Sequence, residues 1–138
     1  MDSRMRMVSL LAAIAASAVT LPAAAGDLKL TGANEVPAVN TTAAGSGNIT
    51  IADDGAVSGN VKTTGVEGTA AHIHVGAVGA NGPVIVPLTK AADGSTWAVP
   101  PGAKLTAEQL KSFKAGELYV NVHSEKNKGG EIRAQLSP

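Results

Sequence analysis

Asp54-Gly55, Asn81-Gly82 and Asp93-Gly94 cut this chain into pieces too short and too alternating for anything but strands. Asp-Gly and Asn-Gly are the residues a tight hairpin turn asks for, because its central positions need positive φ. Between these turns apolar and polar residues alternate, the period of a half-buried strand. The pattern predicts strands over 27–31, 45–53, 56–63, 70–76, 84–88, 95–99, 117–123 and 131–136, with 65–69 as a turn. Pro87 lacks a backbone donor and so belongs at an edge or a strand end. One short helix is expected, capped by Thr106 with Gln109 as its capping-box partner, edged by Leu110 and Phe113 and stopped by Gly116. Seven or eight short strands and one short helix describe an all-β Greek-key β-sandwich.

The N-terminus reads as an export signal. Arg4 and Arg6 precede an apolar run, Pro22 interrupts it, and Ala23-Ala24-Ala25 offers the small residues of a cleavage site. The reading is a signal peptide over 1–25 and one domain over 26–138, periplasmic or secreted. The apolar run is too short for a good membrane span, so no span is expected in the mature chain. Lysine plus arginine balance aspartate plus glutamate at 11 each, and aromatic residues make up 2 % of the chain. Nucleic acid is therefore a poor partner, with neither a basic surface nor a stacking platform to hold it. The glycines at 76, 79 and 82 do not form a phosphate-cradling motif, and no nucleophile elbow occurs.

The chemistry lies in three histidines. His72 and His74 are two residues apart in a strand, so both project from one face, about 7 Å apart, while Ile73 and Val75 take the other. In 118–123 the same alternation sets Leu118, Val120 and Val122 on one face and Tyr119, Asn121 and His123 on the other. All three histidines thus lie opposite the apolar residues of their own strands. Solvated or hydrogen-bonded surface histidines are the plain alternative to a metal site. The chain has no cysteine, and Met1, Met5 and Met7 all lie in the expected signal. Imidazole with oxygen remains as the donor set, which suits Cu(II), Zn(II) or Ni(II). Glu35 and Glu131 are carboxylates that could complete or support such a site, with ordinary loop placement as the alternative.

From about Leu28 to Leu136 the chain resembles the chordin-type CHRD domain. The resemblance is carried by Leu30-Thr31-Gly32-Ala33-Asn34-Glu35-Val36-Pro37, by Ala71-His72-Ile73-His74-Val75-Gly76 with Asn81-Gly82-Pro83-Val84, and by Leu118-Tyr119-Val120-Asn121-Val122-His123 with Gly129-Gly130-Glu131-Ile132-Arg133-Ala134-Gln135-Leu136. It implies an extracytoplasmic β-domain and says little about chemistry. A more distant resemblance links His72-Ile73-His74 and Val122-His123-Ser124-Glu125-Lys126 to the copper-ligating segments of Cu,Zn superoxide dismutases. That likeness implies an immunoglobulin-like or superoxide dismutase-like sandwich. It also implies one copper ion per chain on His72, His74 and His123, with Arg133 guiding an anion such as superoxide and Lys126 and Lys128 as weaker help. The departures are a missing fourth histidine, no zinc cluster, no cysteine pair and a short 124–130 loop. A copper-only site is the version that survives them.

Three functions follow as expectations. They are an exported copper-binding protein for buffering or delivery, a copper-only superoxide dismutase-like enzyme, and a metal-free interaction module with an unnamed protein partner. N-terminal sequencing of the protein from its native cell is expected to find Met1 removed and a start near Gly26; an intact N-terminus in the cytoplasm would contradict the export reading.

Overall fold

The computed structural model describes the backbone of residues 23–138 and side chains from residue 27 onward. Most of the expected export signal lies outside the described residues. Nine strands form: β1 (Ala23–Thr31), β2 (Ala44–Ile51), β3 (Val57–Thr64), β4 (Gly68–Val75), β5 (Val84–Pro87), β6 (Thr89–Lys90), β7 (Thr96–Ala98), β8 (Leu118–Ser124) and β9 (Ile132–Leu136). They hydrogen-bond into one continuous sheet of order β5-β4-β8-β9-β1-β2-β3-β7-β6, antiparallel at every step. The all-β class and the single short α-helix expected from the sequence are both present.

The count departs from seven or eight because a two-residue strand, β6, follows the expected strand over 84–88, which forms as β5. β5 pairs with β4, and β6 pairs with β7 at the opposite end of the strand order. The two edges of the sheet are therefore consecutive pieces of one chain segment. Pro87, which has no N–H to offer, stands at the switch. Leu88 N–H donates to the Ala71 carbonyl at 2.9 Å, and Lys90 Nζ donates to the Gly68 carbonyl at 2.9 Å, so both parts stay tied to β4. The sheet thereby curls into a nearly closed, barrel-like form. The turn expected over 65–69 is shorter than that, since β4 already begins at Gly68.

The interior is filled by the apolar face of each strand. Leu30, Ile49, Ile51, Val61, Ile73, Val120 and Ile132 are fully buried, joined by Trp97 and by Phe113. Phe113 comes from α1 (Ala107–Lys114), whose start carries the expected capping box. Gln109 N–H donates to Thr106 Oγ1 at 3.2 Å, and Thr106 N–H donates to Gln109 Oε1 at 3.0 Å. Gly116, at φ +76, follows the helix where a left-handed residue is needed. No helix among the described residues is long and apolar enough to cross a membrane.

Strand β1 starts at Ala23, inside the expected signal over 1–25, and its Ala23 and Ala24 pair with Ile51 and Thr50 of β2. A chain starting near Gly26 would keep the five pairs from Asp27↔Asn48 to Thr31↔Ala44. Ile73 has the most direct bearing on the histidines, because its seat in the core holds β4 with His72 and His74 facing outward. Replacing it by Ala is expected to cost about 2–5 kcal/mol, measured by urea unfolding, as for other large-to-small changes in a closed core.

Candidate metal centre

The face of β4, β8 and β9 turned away from the core carries a polar layer. Cross-strand register sets Ala70 against His123, His72 against Asn121 and His74 against Tyr119, then Asn121 against Arg133 and Tyr119 against Gln135. With the apolar residues of all three strands facing inward, His72, His74, Tyr119, Asn121, His123, Arg133 and Gln135 share the outer face. That face is not left to solvent. The chain after β1 and the loop between β4 and β5 fold over part of it, joined where Asn81 Nδ2 donates to the Val36 carbonyl at 2.7 Å.

The three histidines meet there, each with one ring nitrogen within 4.8 Å of the others. Their neighbours decide which nitrogen carries a lone pair. His74 Nδ1 donates to the Gly82 carbonyl at 3.0 Å and His123 Nδ1 donates to the Lys128 carbonyl at 2.8 Å, because a carbonyl can only accept. Each of these rings therefore presents a bare Nε2. His72 Nδ1 lies 3.0 Å from His123 Nε2 and must be the donor in that pair. Two nitrogens bound at about 2.0 Å to one tetrahedral ion stand about 3.3 Å apart. The His72–His123 contact is already close to that spacing, with a proton where the ion would go. A metal binds by displacing such a proton.

Backbone carbonyls thus orient two of the rings, as the outer partners of metal-ligating histidines generally do. Gly82 can make its contact because it has no side chain; a Cβ there would collide with the Val75 carbonyl. Burial, then the nearby His123 and His74 rings, hold the His72 pKa below its ordinary value. His74 is likewise lowered, by burial first, against the Gly82 and Asn121 contacts that favour its charged form. Both rings are thereby kept neutral, the form that binds a metal.

Arg133 is in the layer but does not face solvent. It is 1 % exposed, its guanidinium lies 3.5 Å over the Tyr119 ring, and it donates to the Ala77 carbonyl at 3.0 Å and to Gln135 Oε1 at 3.2 Å. The other face of Tyr119 stacks on His74 with ring planes 3° apart. Arg133, Tyr119 and His74 thus form one stack, and the nearby guanidinium charge adds to the lowering of the His74 pKa that burial begins. Alternation had marked the polar face correctly; the burial comes from loops that alternation cannot see. Lys126 and Lys128 are exposed on the 124–130 loop.

The two carboxylates have different settings. Glu131 lies away from the histidine group and braces the 124–130 loop, accepting from Ser124 Oγ at 2.7 Å, Thr41 Oγ1 at 2.8 Å and Asn127 Nδ2 at 3.1 Å. Burial would raise its pKa, but these three bonds hold it below the usual range. Glu35 is 6 % exposed, and burial pushes its pKa up to about 7 against the lowering effects of Asn121 and Arg133. It packs against Asn121 and Gly130, whose φ of +124 and missing side chain leave room for the carboxyl group. A cleft of about 250 Å3 opens onto Glu35, Arg133 and Gln135 between the two covering loops. Tyr119 and Asn121 had been assigned to the right face by alternation but not to the site; their register opposite His74 and His72 is what places them in it.

The model of one family, the CHRD domain, matches residues 27–136, and the chain belongs to that family. No curated protein and no solved structure matches the chain. The likeness to superoxide dismutases therefore rests on the histidine segments alone.

Glu35 gives a pH test. Its folded pKa of about 7 stands above the model-compound value of 4.5, so its contribution to stability is full below pH 4.5 and is lost as pH rises through 7. In metal-free protein, the stability of the parent relative to Glu35→Gln is expected to fall between pH 5 and pH 8, by up to about 3 kcal/mol. Urea unfolding at both pH values reads that difference, and a difference independent of pH would refute it.

Proposed function

We propose that this CHRD domain protein is an exported copper-binding protein, periplasmic or secreted, which holds one copper ion per chain on His72, His74 and His123 for buffering or delivery. The observation that carries the reading is the convergence of one ring nitrogen from each histidine within 4.8 Å, in a group where His74 Nε2 is buried with no hydrogen-bond partner. A buried lone pair without a donor is costly unless something positive meets it. Copper is preferred over zinc by the general affinity order for nitrogen sites, and the lack of cysteine favours Cu(II) over a soft cuprous site. His72 and His123 are only partly buried, so an ion could reach the group and leave it again. The barrel-like sheet suits this reading, because adjoining strands β4 and β8 carry all three histidines.

Superoxide dismutation is the second reading, and Arg133 is the feature it would use. Its guanidinium is buried in the Tyr119–His74 stack and donates to Ala77 and Gln135. Its positive charge lies near the site, yet its hydrogen-bonding groups do not meet an incoming anion at the surface. Copper storage or delivery therefore takes precedence. A metal-free interaction module would leave the buried lone pair of His74 Nε2 without a partner.

Calorimetric titration of metal-free protein with Cu(II) is expected to show one ion per chain. Replacing His72, His74 or His123 singly by Ala is expected to weaken binding at least tenfold, about 1.4 kcal/mol or more. Unchanged affinity in the triple-Ala protein would remove the reading.

A further inference from the structure

We propose that Asn121 supplies the fourth donor to the metal, through its side-chain oxygen Oδ1, and that Glu35 holds the amide in the orientation this requires. The inference rests on reading the three histidines as a metal site. It is carried by a coincidence of buried polar atoms. Asn121 is 2 % exposed, and its Oδ1 has no hydrogen-bond partner. His74 Nε2 has none either. Asn121 also lies at the centre of the group: His72 is directly opposite it on β4, His123 is two residues along β8 on the same face, and His74 is diagonal to it. An amide oxygen carries lone pairs only, and Nε2 of His74 carries one because Nδ1 holds the proton. Two acceptors buried side by side without a donor repel each other. A cation bound to both removes that repulsion.

The amide is turned the right way for this. Asn121 Nδ2 points to the other side, donating to the Gly129 carbonyl at 3.4 Å and lying close to the Glu35 carboxyl over Gly130. The reverse orientation would set the amide oxygen against the Gly129 carbonyl, two acceptors with no donor between them. Glu35 and Gly129 therefore both keep Oδ1 aimed at the histidines. An amide oxygen is a weak, neutral donor of the kind that occupies a long axial position beside stronger ligands on copper. Three imidazoles and one amide oxygen would hold Cu(II) and leave room for an exogenous ligand or a receiving protein's donor. The sequence resemblance to copper enzymes contains no such residue, and Glu35 acts here as a positioning residue without touching the metal.

The test uses the full chain loaded with one equivalent of Cu(II), read by electron paramagnetic resonance and by competitive Cu(II) titration. Asn121→Leu, close in shape but without a donor, is expected to shift the copper hyperfine pattern and to weaken affinity by up to about tenfold. Asn121→Asp, which substitutes an anionic oxygen in the same shape, is expected to shift the pattern in the other direction and to tighten binding. A folded Asn121→Leu protein with the parent's spectrum and affinity overturns the proposal. Should Asn121→Leu fail to fold, as judged by circular dichroism, an unchanged spectrum in Asn121→Asp overturns it instead. Histidine variants run alongside separate the two claims. If they lose copper while the Asn121 variants match the parent, only the fourth donor is wrong; if the triple-histidine variant binds as the parent does, the metal site itself is wrong.

Discussion

The two-residue period of β4, β8 and β9 is the constraint on which the rest of this structure depends. Ile73, Val120, Val122 and Ile132 are fully buried on one side of these strands, and a slip of one residue would exchange them for His72, Asn121, His123 and Arg133. The hydrophobic side therefore pins the register, and the register pins the polar side. His72 faces Asn121, His74 faces Tyr119 and Asn121 faces Arg133 because the core admits no other pairing. The histidine group is held by strands, whose positions are far better defined than those of loops.

What makes the polar side unusual is that much of it too is buried, His74, Tyr119, Asn121 and Arg133 included. Two loops cross it, and most of its groups find partners beneath them: Gln135 Nε2 donates to the Gly76 and Gly116 carbonyls, Arg133 to Ala77 and Gln135, and Gly82 N–H to the Tyr119 hydroxyl. Against that background the unpartnered atoms stand out. Four are buried without a partner among the described residues, and three of them, Glu35 Oε1, His74 Nε2 and Asn121 Oδ1, belong to this one layer. The fourth, Trp97 Nε1, lies in the core at Gly68. Buried polar groups that go unmet are uncommon and often mark a functional site.

Much of this was legible in the sequence because it depends on local rules. The Asp-Gly and Asn-Gly turns, the capping box at Thr106 and the alternation that sets the histidines opposite Ile73 and Val122 are all short-range properties. What was not legible depends on contacts between distant segments. That a second strand, Thr89–Lys90, follows 84–88 is decided by β7, which pairs with it while β4 pairs with 84–87. Arg133 reads as a surface cation until Ala77 and Tyr119 are seen to enclose it. Asn121 reads as an ordinary polar residue until its register opposite His72 is known. Glu35 lies more than eighty residues from Asn121 in sequence, so no spacing rule joins them.

The central claim is that three imidazoles of this layer bind one ion together. X-ray absorption at the copper edge, on protein carrying one equivalent of Cu(II), tests it most directly, since imidazole rings leave a multiple-scattering signature that water and carboxylate do not. A first shell at about 2.0 Å with the signature of three imidazoles is expected. A shell of light atoms with one imidazole or none would contradict it, whatever the affinity measured.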